Sequence, residues 1–538
     1  MKHPPVTQAD VPWRTDMFSA LDAAVTTFDS NTGWIFEGER LSLQVMRARS
    51  EQAAGLFHTY GVGPGDRVAV WLPNDADWVT AFFACARLGA VLVPLNTRWT
   101  TLECAQVLEN CGPRLVLFRP RFLKADHAAS LRLIYPDLDS GEWTKAYRQT
   151  PRTHVLHVGR DGIPSWVRPF RKGISQNSLS PPVSRPGPDH PLLIQYTSGT
   201  TARPKGAVLS HTHVLNFGVD PILRMGVKVG ETVLNTQPLF HVGGSCAAVP
   251  LPVVLGCSVA MPEYYSPELV LQTIQAEKCV ARGGMPTMYL REMAHPRFCE
   301  YDVSSLRAGW TIGAPELLEK IRTGYPLEHL FALYGSSEAA GAWGTVTDSP
   351  DVRINSVGLP YSGAEVAVDA GYGPTNAPAH SGEIIIRGWA RMMGYYDESQ
   401  AEGFDDKGWF RTGDIGHFDS EGRLYFDGRH KDVVKPGGEN VSALEVESVL
   451  VSHPEIVQAA VVGVADPDLG EAVVACVEQV AGSGLQVQSI IEHCRQHLSP
   501  FKVPKHIVVV ADWPITGSGK LNKNELAARM CAELGGPR

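Results

Sequence analysis

Paired cysteines, long apolar runs and a strong charge of one sign are all missing from this 538-residue chain. Its ten cysteines stand at 85, 104, 111, 246, 257, 279, 299, 476, 494 and 531, with no CxxC pair among them. That spacing excludes a zinc ribbon and gives no sign of a disulfide framework; dispersed thiols in apolar surroundings suit burial in a reducing compartment. No apolar run approaches the ~18 residues of a membrane-crossing helix. The opening "MKHPPVTQADVPWR" lacks the apolar core of a signal peptide, so a soluble cytoplasmic protein is expected. A net charge of −9 argues against a general nucleic-acid binder but leaves room for a small anionic ligand held by local groups. The P-loop spelling GxxxxGK[ST] is absent, because Gly199 is followed by "TTARPKG". The turn "GVGPG" opens no helix after a strand, which excludes a dinucleotide fingerprint.

What is present is strand–helix alternation over more chain than one compact core can use. "DRVAVWLP" (66–73), "VLVPLN" (91–96) and "RLVLF" (114–118) read as buried strands, and 76–90 and 100–112 as the helices between them. That order predicts a parallel α/β architecture. From about 139 to 190 the pattern weakens into a Pro- and Ser-rich stretch, read as an irregular surface connection. Alternation returns with "PLLIQY" and a helix at 211–218. Later segments, "GEIIIRG" and "GWFRTGDIGHFDSEGRLYFDGR", are strand-rich with tight turns. A large body over 1–428, a connection at 429–432 and a small α+β unit over 433–538 are the expected divisions.

The stretch "YTSGTTARPKG" (196–206) combines hydroxyls, a glycine and a lysine. Backbone N–H groups and side-chain donors of such a loop can converge on phosphate oxygens, but a Ser/Thr/Gly-rich turn alone is as often just a turn. Four further motifs follow in order: "YGSSE" (334–338), "GWFRTGD" (408–414), "GRHKDVVKPGGENV" (428–441) and "PITGSGKLNK" (514–523). Together the five resemble the signature set of the adenylate-forming superfamily of acyl- and aryl-CoA synthetases, luciferases and peptide-synthetase adenylation domains. The resemblance covers nearly the whole chain, including "PLN" at 94–96.

The resemblance implies a two-step reaction. A carboxylate attacks the α-phosphate of ATP, giving an acyl-adenylate and pyrophosphate; the thiol of coenzyme A then displaces AMP. It implies that Thr197, Ser198, Gly199, Thr200, Thr201 and Lys205 hold the β- and γ-phosphates, that Ser337 (in place of the usual threonine) donates to the α-phosphate, and that Glu338 attends Mg²⁺. Tyr334 and the backbone of Gly313, Ala314 and Pro315 would flank adenine, Asp414 would accept the ribose hydroxyls, and Arg429 would contact ribose and phosphate. Lys520 would bridge carboxylate and α-phosphate. Rotation of the small unit about Lys431 would then withdraw Lys520, lay Gly437 and Gly438 against the pantetheine and bring Lys435 to the adenylate. Two departures stand out: Lys523 where the family writes arginine, and Ala202 where it commonly writes glycine.

The same resemblance puts the carboxylic acid among Phe240, His241, Gly243, Trp310, Ile312 and Gly335. No acidic residue lies in "QPLFHVGG" (237–244) to pair an α-ammonium, which disfavours a free amino acid. Ile312, where many relatives have glycine, is expected to narrow the pocket and favour a short, medium, cyclic or aryl acid. Plainer readings stand beside these. Glu338 could be a helix-start carboxylate, Asp414 a turn cap, Lys520 a solvated loop lysine and His241 a structural histidine. A stand-alone adenylating enzyme that loads a phosphopantetheinyl carrier protein is the rival function, and a non-catalytic nucleotide-binding protein the remote one.

Overall fold

The computed structural model describes residues 8–136, 153–159, 167–176, 185–197, 204–378, 380–397, 403–429, 432–439, 441–480, 482–516 and 520–534. Strands Arg67–Trp71, Val91–Pro94 and Leu115–Phe118 are apolar on both faces and pair in parallel, as strands buried on both sides must. The helices between them have defined ends. Asp75 caps Ala76–Leu88 by accepting from the Trp78 amide, and Gly89 closes it at φ +67°. Thr100 and Glu103 form a reciprocal capping box on Thr101–Cys111, which ends at Gly112.

The stretch 139–190 departs in part from the irregular connection expected of it. Its described residues include the strand His154–His157, parallel to Leu115–Phe118, and the helix Phe170–Gln176 with Phe170 and Ile174 buried. Four residues of strand among prolines and serines carry too short an alternation to be seen; the sheet edge beside them decides their conformation. Strand Arg168–Pro169 extends this sheet to eight strands, with Pro191–Thr197, Lys205–Ser210 and Gly394–Tyr395 on the far side.

A second sheet carries nine strands, among them Thr232–Leu234, Ala281–Gly283, Ala308–Thr311 and His329–Gly335 in parallel, with Ala340–Trp343 returning antiparallel. One apolar core lies between helices and both sheets. A five-stranded antiparallel sheet follows and ends with Phe410–Phe418 and Leu424–Arg429. After it, Ile456–Asp466, Gly470–Gln479 and His506–Val509 form a three-stranded sheet with its own apolar clusters against helices Ala443–Val451, Val487–His497 and Lys523–Leu534. This unit touches the preceding body where Lys320 Nζ donates to the Ile456 carbonyl at 3.1 Å. All ten cysteines are free thiols and eight are buried. Among the described residues no helix is long and apolar enough to cross a membrane.

Under the nine-stranded sheet Arg282 and Glu292 are wholly buried as an ion pair, with Tyr325 donating to Glu292 at 2.9 Å. Arg282→Met alone strands the Glu292 charge and is expected to lower stability by about 3–5 kcal/mol. Arg282→Met with Glu292→Leu is expected to recover most of that loss. Denaturant midpoints of the two variants check this.

Candidate active site

The carboxyl ends of parallel strands all open on one side of a sheet, so residues that follow them converge. In the nine-stranded sheet that convergence makes a cavity. Gln237 follows Thr232–Leu234, Met285 follows Ala281–Gly283, and Trp310 and Ile312 end Ala308–Thr311. Leu333 and Gly335 lie near the end of His329–Gly335, and Trp343 faces Leu333 from the antiparallel strand. The enclosed space is about 720 Å³ with its open mouth included. Among the described residues Lys520 is the only charged side chain lining it, beside His241, Ser336 and Ser337. The Trp310 ring lies across Gly283, where an added Cβ would stand 2.0 Å from the indole, and meets Trp343 edge-on at 5.8 Å.

Alternation along His329–Gly335 sends Tyr334 to the opposite face. There its hydroxyl donates to Asp414 Oδ2 at 2.8 Å, while Arg429 Nε reaches Asp414 Oδ1 at 2.9 Å. Asp414 and Arg429 are cross-strand partners, so pairing register presents both groups together. Tyr334 stacks on Phe426 at 5.8 Å. Burial and then the Asp414 charge push the Tyr334 phenol well above its ordinary value, which keeps it a donor. Asp414 thus sits within a strand with two partners rather than merely capping a turn. Gly313, at φ +134°, adopts a backbone that side chains rarely tolerate and leads into Ala314 and the helix Pro315–Gly324.

Glu338 lies on the hairpin turn between His329–Gly335 and Ala340–Trp343, not at a helix start. Its amide donates to Ser336 Oγ at 3.1 Å, and Tyr395 donates to its Oε1 at 3.3 Å. The other face of Tyr395 receives Lys205, whose Nζ stands 5.3 Å from the ring centroid. Thr197 and Lys205 face each other at the ends of two antiparallel strands. Ser198, Gly199, Thr200, Thr201 and Ala202 lie outside the described residues, as does Lys431.

Lys520 comes from the small C-terminal unit. Its amide donates to Thr516 Oγ1 at 3.1 Å and its carbonyl accepts from the Thr516 amide at 2.7 Å, which closes the hairpin that carries it. It is no freely solvated lysine: burial first, then the charge of Arg429, hold its ammonium below the ordinary lysine value, against the pull of Glu338 and Asp414. Burial, assisted by Lys520, pushes His241 down to about 3. His241 Nδ1 accepts from the Gly243 amide at 3.1 Å and caps Val242–Ser245, so the histidine has a structural role as well as a place on the cavity wall.

Segment 237–243 is a partition. Gln237, His241, Val242 and Gly243 line the cavity, whereas Phe240 turns away from the expected pocket to line a neighbouring cleft with Pro238 and Thr236. Arg98 and Arg291 stand in that cleft, and the arginine charge of the second acts on the first. Neither has a carboxylate partner among the described residues, since Glu263 beside them is paired with Arg119. These arginines, Tyr395, Gln237 and Trp343 were not singled out by motif. Arg98 directly follows the "PLNT" strand end, the one signal that could have marked it. Lys435 and Gly437 are held elsewhere: the Lys435 amide donates to Glu471 Oε2 at 2.6 Å and the Gly437 amide to Leu469 O at 2.8 Å, with Gly438 ending the same short turn.

Residues 21–396 match the AMP-binding enzyme family and 445–520 match the AMP-binding enzyme C-terminal domain. A mitochondrial medium-chain acyl-CoA ligase, ACSF2 of Danio rerio, is 31% identical over 96% of this chain and 88% of its own length. The 3-[(3aS,4S,7aS)-7a-methyl-1,5-dioxo-octahydro-1H-inden-4-yl]propanoyl:CoA ligase of Mycobacterium tuberculosis is 31% identical over 94% of this chain and 97% of its own. The anthranilate CoA ligase AuaEII in complex with anthranoyl-AMP shares the fold, with TM-score 0.86, 21% identity, and coverage of 98% of this chain and 100% of that one. ATP-bound MatB from Rhodopseudomonas palustris superposes with TM-score 0.82 at 25% identity, over 96% and 99% of the two chains.

With a value of about 3, His241 is neutral throughout the physiological range. Its ring resonances in ¹⁵N NMR are expected not to titrate between about pH 5 and 8. Lys520→Ala removes the smaller of the two causes and is expected to raise the value while burial keeps it below that of a free histidine.

Proposed function

The chain belongs to the AMP-binding enzyme family, and from that premise we infer the roles of its site residues in an AMP-forming acid:CoA ligase. The enzyme activates a carboxylic acid with ATP to an acyl-adenylate, releasing pyrophosphate, and transfers the acyl group to the thiol of coenzyme A with release of AMP. The observation that carries the residue assignment is the place of Lys520, a lysine of the C-terminal unit, at a cavity whose other described lining side chains are uncharged.

In the first step Lys520 offers its ammonium to the acid's carboxylate and to the α-phosphate, where opposite charges must be held together long enough to react. Neutral His241 does not compete with Lys520 as a cation and borders the carboxylate. Ser337 donates to the α-phosphate. Asp414, already oriented by Tyr334 and Arg429, is the acceptor for ribose hydroxyls, and Tyr334 with the Gly313–Pro315 backbone flanks adenine. Thr197 and Lys205 begin and end the phosphate loop that includes Ser198, Gly199, Thr200 and Thr201. Glu338 fits a magnesium ion brought by the nucleotide: one half-buried carboxylate supplies a hard oxygen, and the described residues contain no acidic cage that would hold an ion alone. When bound, that ion offsets negative charge on the phosphates.

For the second step the C-terminal unit rotates about Lys431, withdrawing Lys520, turning Gly437 and Gly438 to the thiol acceptor and Lys435 to the adenylate. The cleft with Arg98 and Arg291 suits the phosphates of coenzyme A, and its separation from the acyl cavity by segment 237–243 sets the thiol and the acid on opposite sides of one wall. Among the described residues the cavity lining contains no carboxylate for an amino acid's ammonium and no second cation for a dicarboxylate, which favours a compact, largely apolar monocarboxylic acid. Free thiols throughout suit the cytoplasm.

Lys520→Ala is expected to lower acid-dependent pyrophosphate release on the order of 10²–10³-fold while thioester formation from supplied acyl-adenylate persists. Equal loss of both would overturn the assignment. Because the ammonium form is required and its value is lowered, wild-type pyrophosphate release is expected to fall at a more acidic pH than an ordinary lysine would dictate. Arg98→Ala with Arg291→Ala is expected to raise the KM for coenzyme A about 10-fold or more without changing pyrophosphate release. A panel of acids, run with coenzyme A or with a phosphopantetheinyl carrier protein, tests the acceptor.

A further inference from the structure

Two buried polar side-chain atoms on residues of the acyl cavity have no hydrogen-bond partner among the described residues. Trp343 is 4% exposed and its indole Nε1 has no hydrogen-bond partner among the described residues. Gln237 is 1% exposed; its Oε1 has no partner and its Nε2 meets only Met288 Sδ at 3.8 Å. Sulfur is a weak acceptor, so with the amide turned either way Gln237 keeps one strong polar group unused. Buried donors and acceptors are normally satisfied, and an unsatisfied one is expensive to keep. Both belong to residues that line the same cavity, whose wall also includes Phe217, Pro221, Ile222, Leu333, Trp310 and Tyr361.

Their positions along the cavity differ from those of the reacting groups. Trp343 faces Leu333, two residues before Gly335 on the strand that leads to Ser337. At strand rise that sets Trp343 about 7 Å down the hairpin from Gly335, away from the end where the carboxylate is activated. An indole N–H donates and never accepts. It therefore calls for an acceptor oxygen on the part of the acid remote from the carboxylate.

We propose that the acid is oxygenated: a compact hydrocarbon frame bearing, distal to its carboxylate, an oxo or hydroxyl oxygen that accepts from Trp343 Nε1. Gln237 serves a second polar substituent of the same frame. This rests on the reading of the cavity as the acyl pocket of an acid:CoA ligase. A site that must bury a lone donor discriminates against an analogue lacking the matching acceptor more strongly than an apolar pocket discriminates one methylene.

The experiment compares 3-(4-oxocyclohexyl)propanoate, 3-cyclohexylpropanoate and octanoate by acid-dependent pyrophosphate release and CoA thioester formation. With the wild-type enzyme, kcat/KM is expected to favour the oxo acid over its plain counterpart by about 10-fold or more. Trp343→Phe is expected to bring that ratio to about one, through the KM for the oxo acid. Gln237→Met, of similar volume, is expected to leave the Trp343-dependent ratio standing. Equal or better use of 3-cyclohexylpropanoate or octanoate by the wild-type enzyme overturns the proposal while leaving the ligase reading intact. So does a Trp343→Phe variant, folded by its thermal midpoint, that keeps the wild-type ratio. Absence of pyrophosphate release with every acid overturns the ligase reading itself.

Discussion

The two-residue alternation of the strand His329–Gly335 is the constraint on which the site depends. It aims Tyr334 at Asp414 on one face and Leu333 and Gly335 at the cavity on the other. A pleated strand thereby keeps two different environments apart within a single peptide unit. The hairpin turn that follows then supplies Ser337 and Glu338 where the two faces come together.

Charge at this junction is controlled by burial. A single lysine enters the cavity wall, held below its ordinary value, and the histidine beside it is kept neutral. Two cations in so little space would repel one another, and a charged imidazole would draw a carboxylate away from Lys520. On the Tyr334 face the order is reversed. Asp414, 4% exposed, remains paired with Arg429 and hydrogen-bonded to Tyr334 before any ligand arrives, so its orientation is set by the protein rather than by the substrate.

The eight-stranded sheet has a corresponding splint. Gly394–Tyr395 pairs with Lys205–Ser210, and Tyr395 thereby stands between Lys205 and Glu338. A cation and a carboxylate that could neutralise each other directly are instead each held by one part of an aromatic side chain.

Family, fold class and the two-step chemistry were legible from five ordered motifs, because phosphate loops, glycine turns and reacting side chains occupy short contiguous segments. The first three strands and the helices 76–90 and 100–112 were legible for a related reason: local caps and apolar runs define them without help. The strand His154–His157 was not, since its conformation depends on the sheet edge it joins. Nor did sequence separate Phe240 from His241. Which of two adjacent side chains faces the cavity is decided by the turn of a wall between two spaces, and sequence alone had both in one pocket. Arg98 and Arg291 are 193 positions apart (291 − 98) and share a cleft only in three dimensions. The sequence by itself determined the reaction, because chemistry needs particular groups at short spacing. The tertiary structure alone decided the shape and polarity of the cavity, because Gln237, Trp310 and Trp343 stand on or after separate strands and meet only through sheet register.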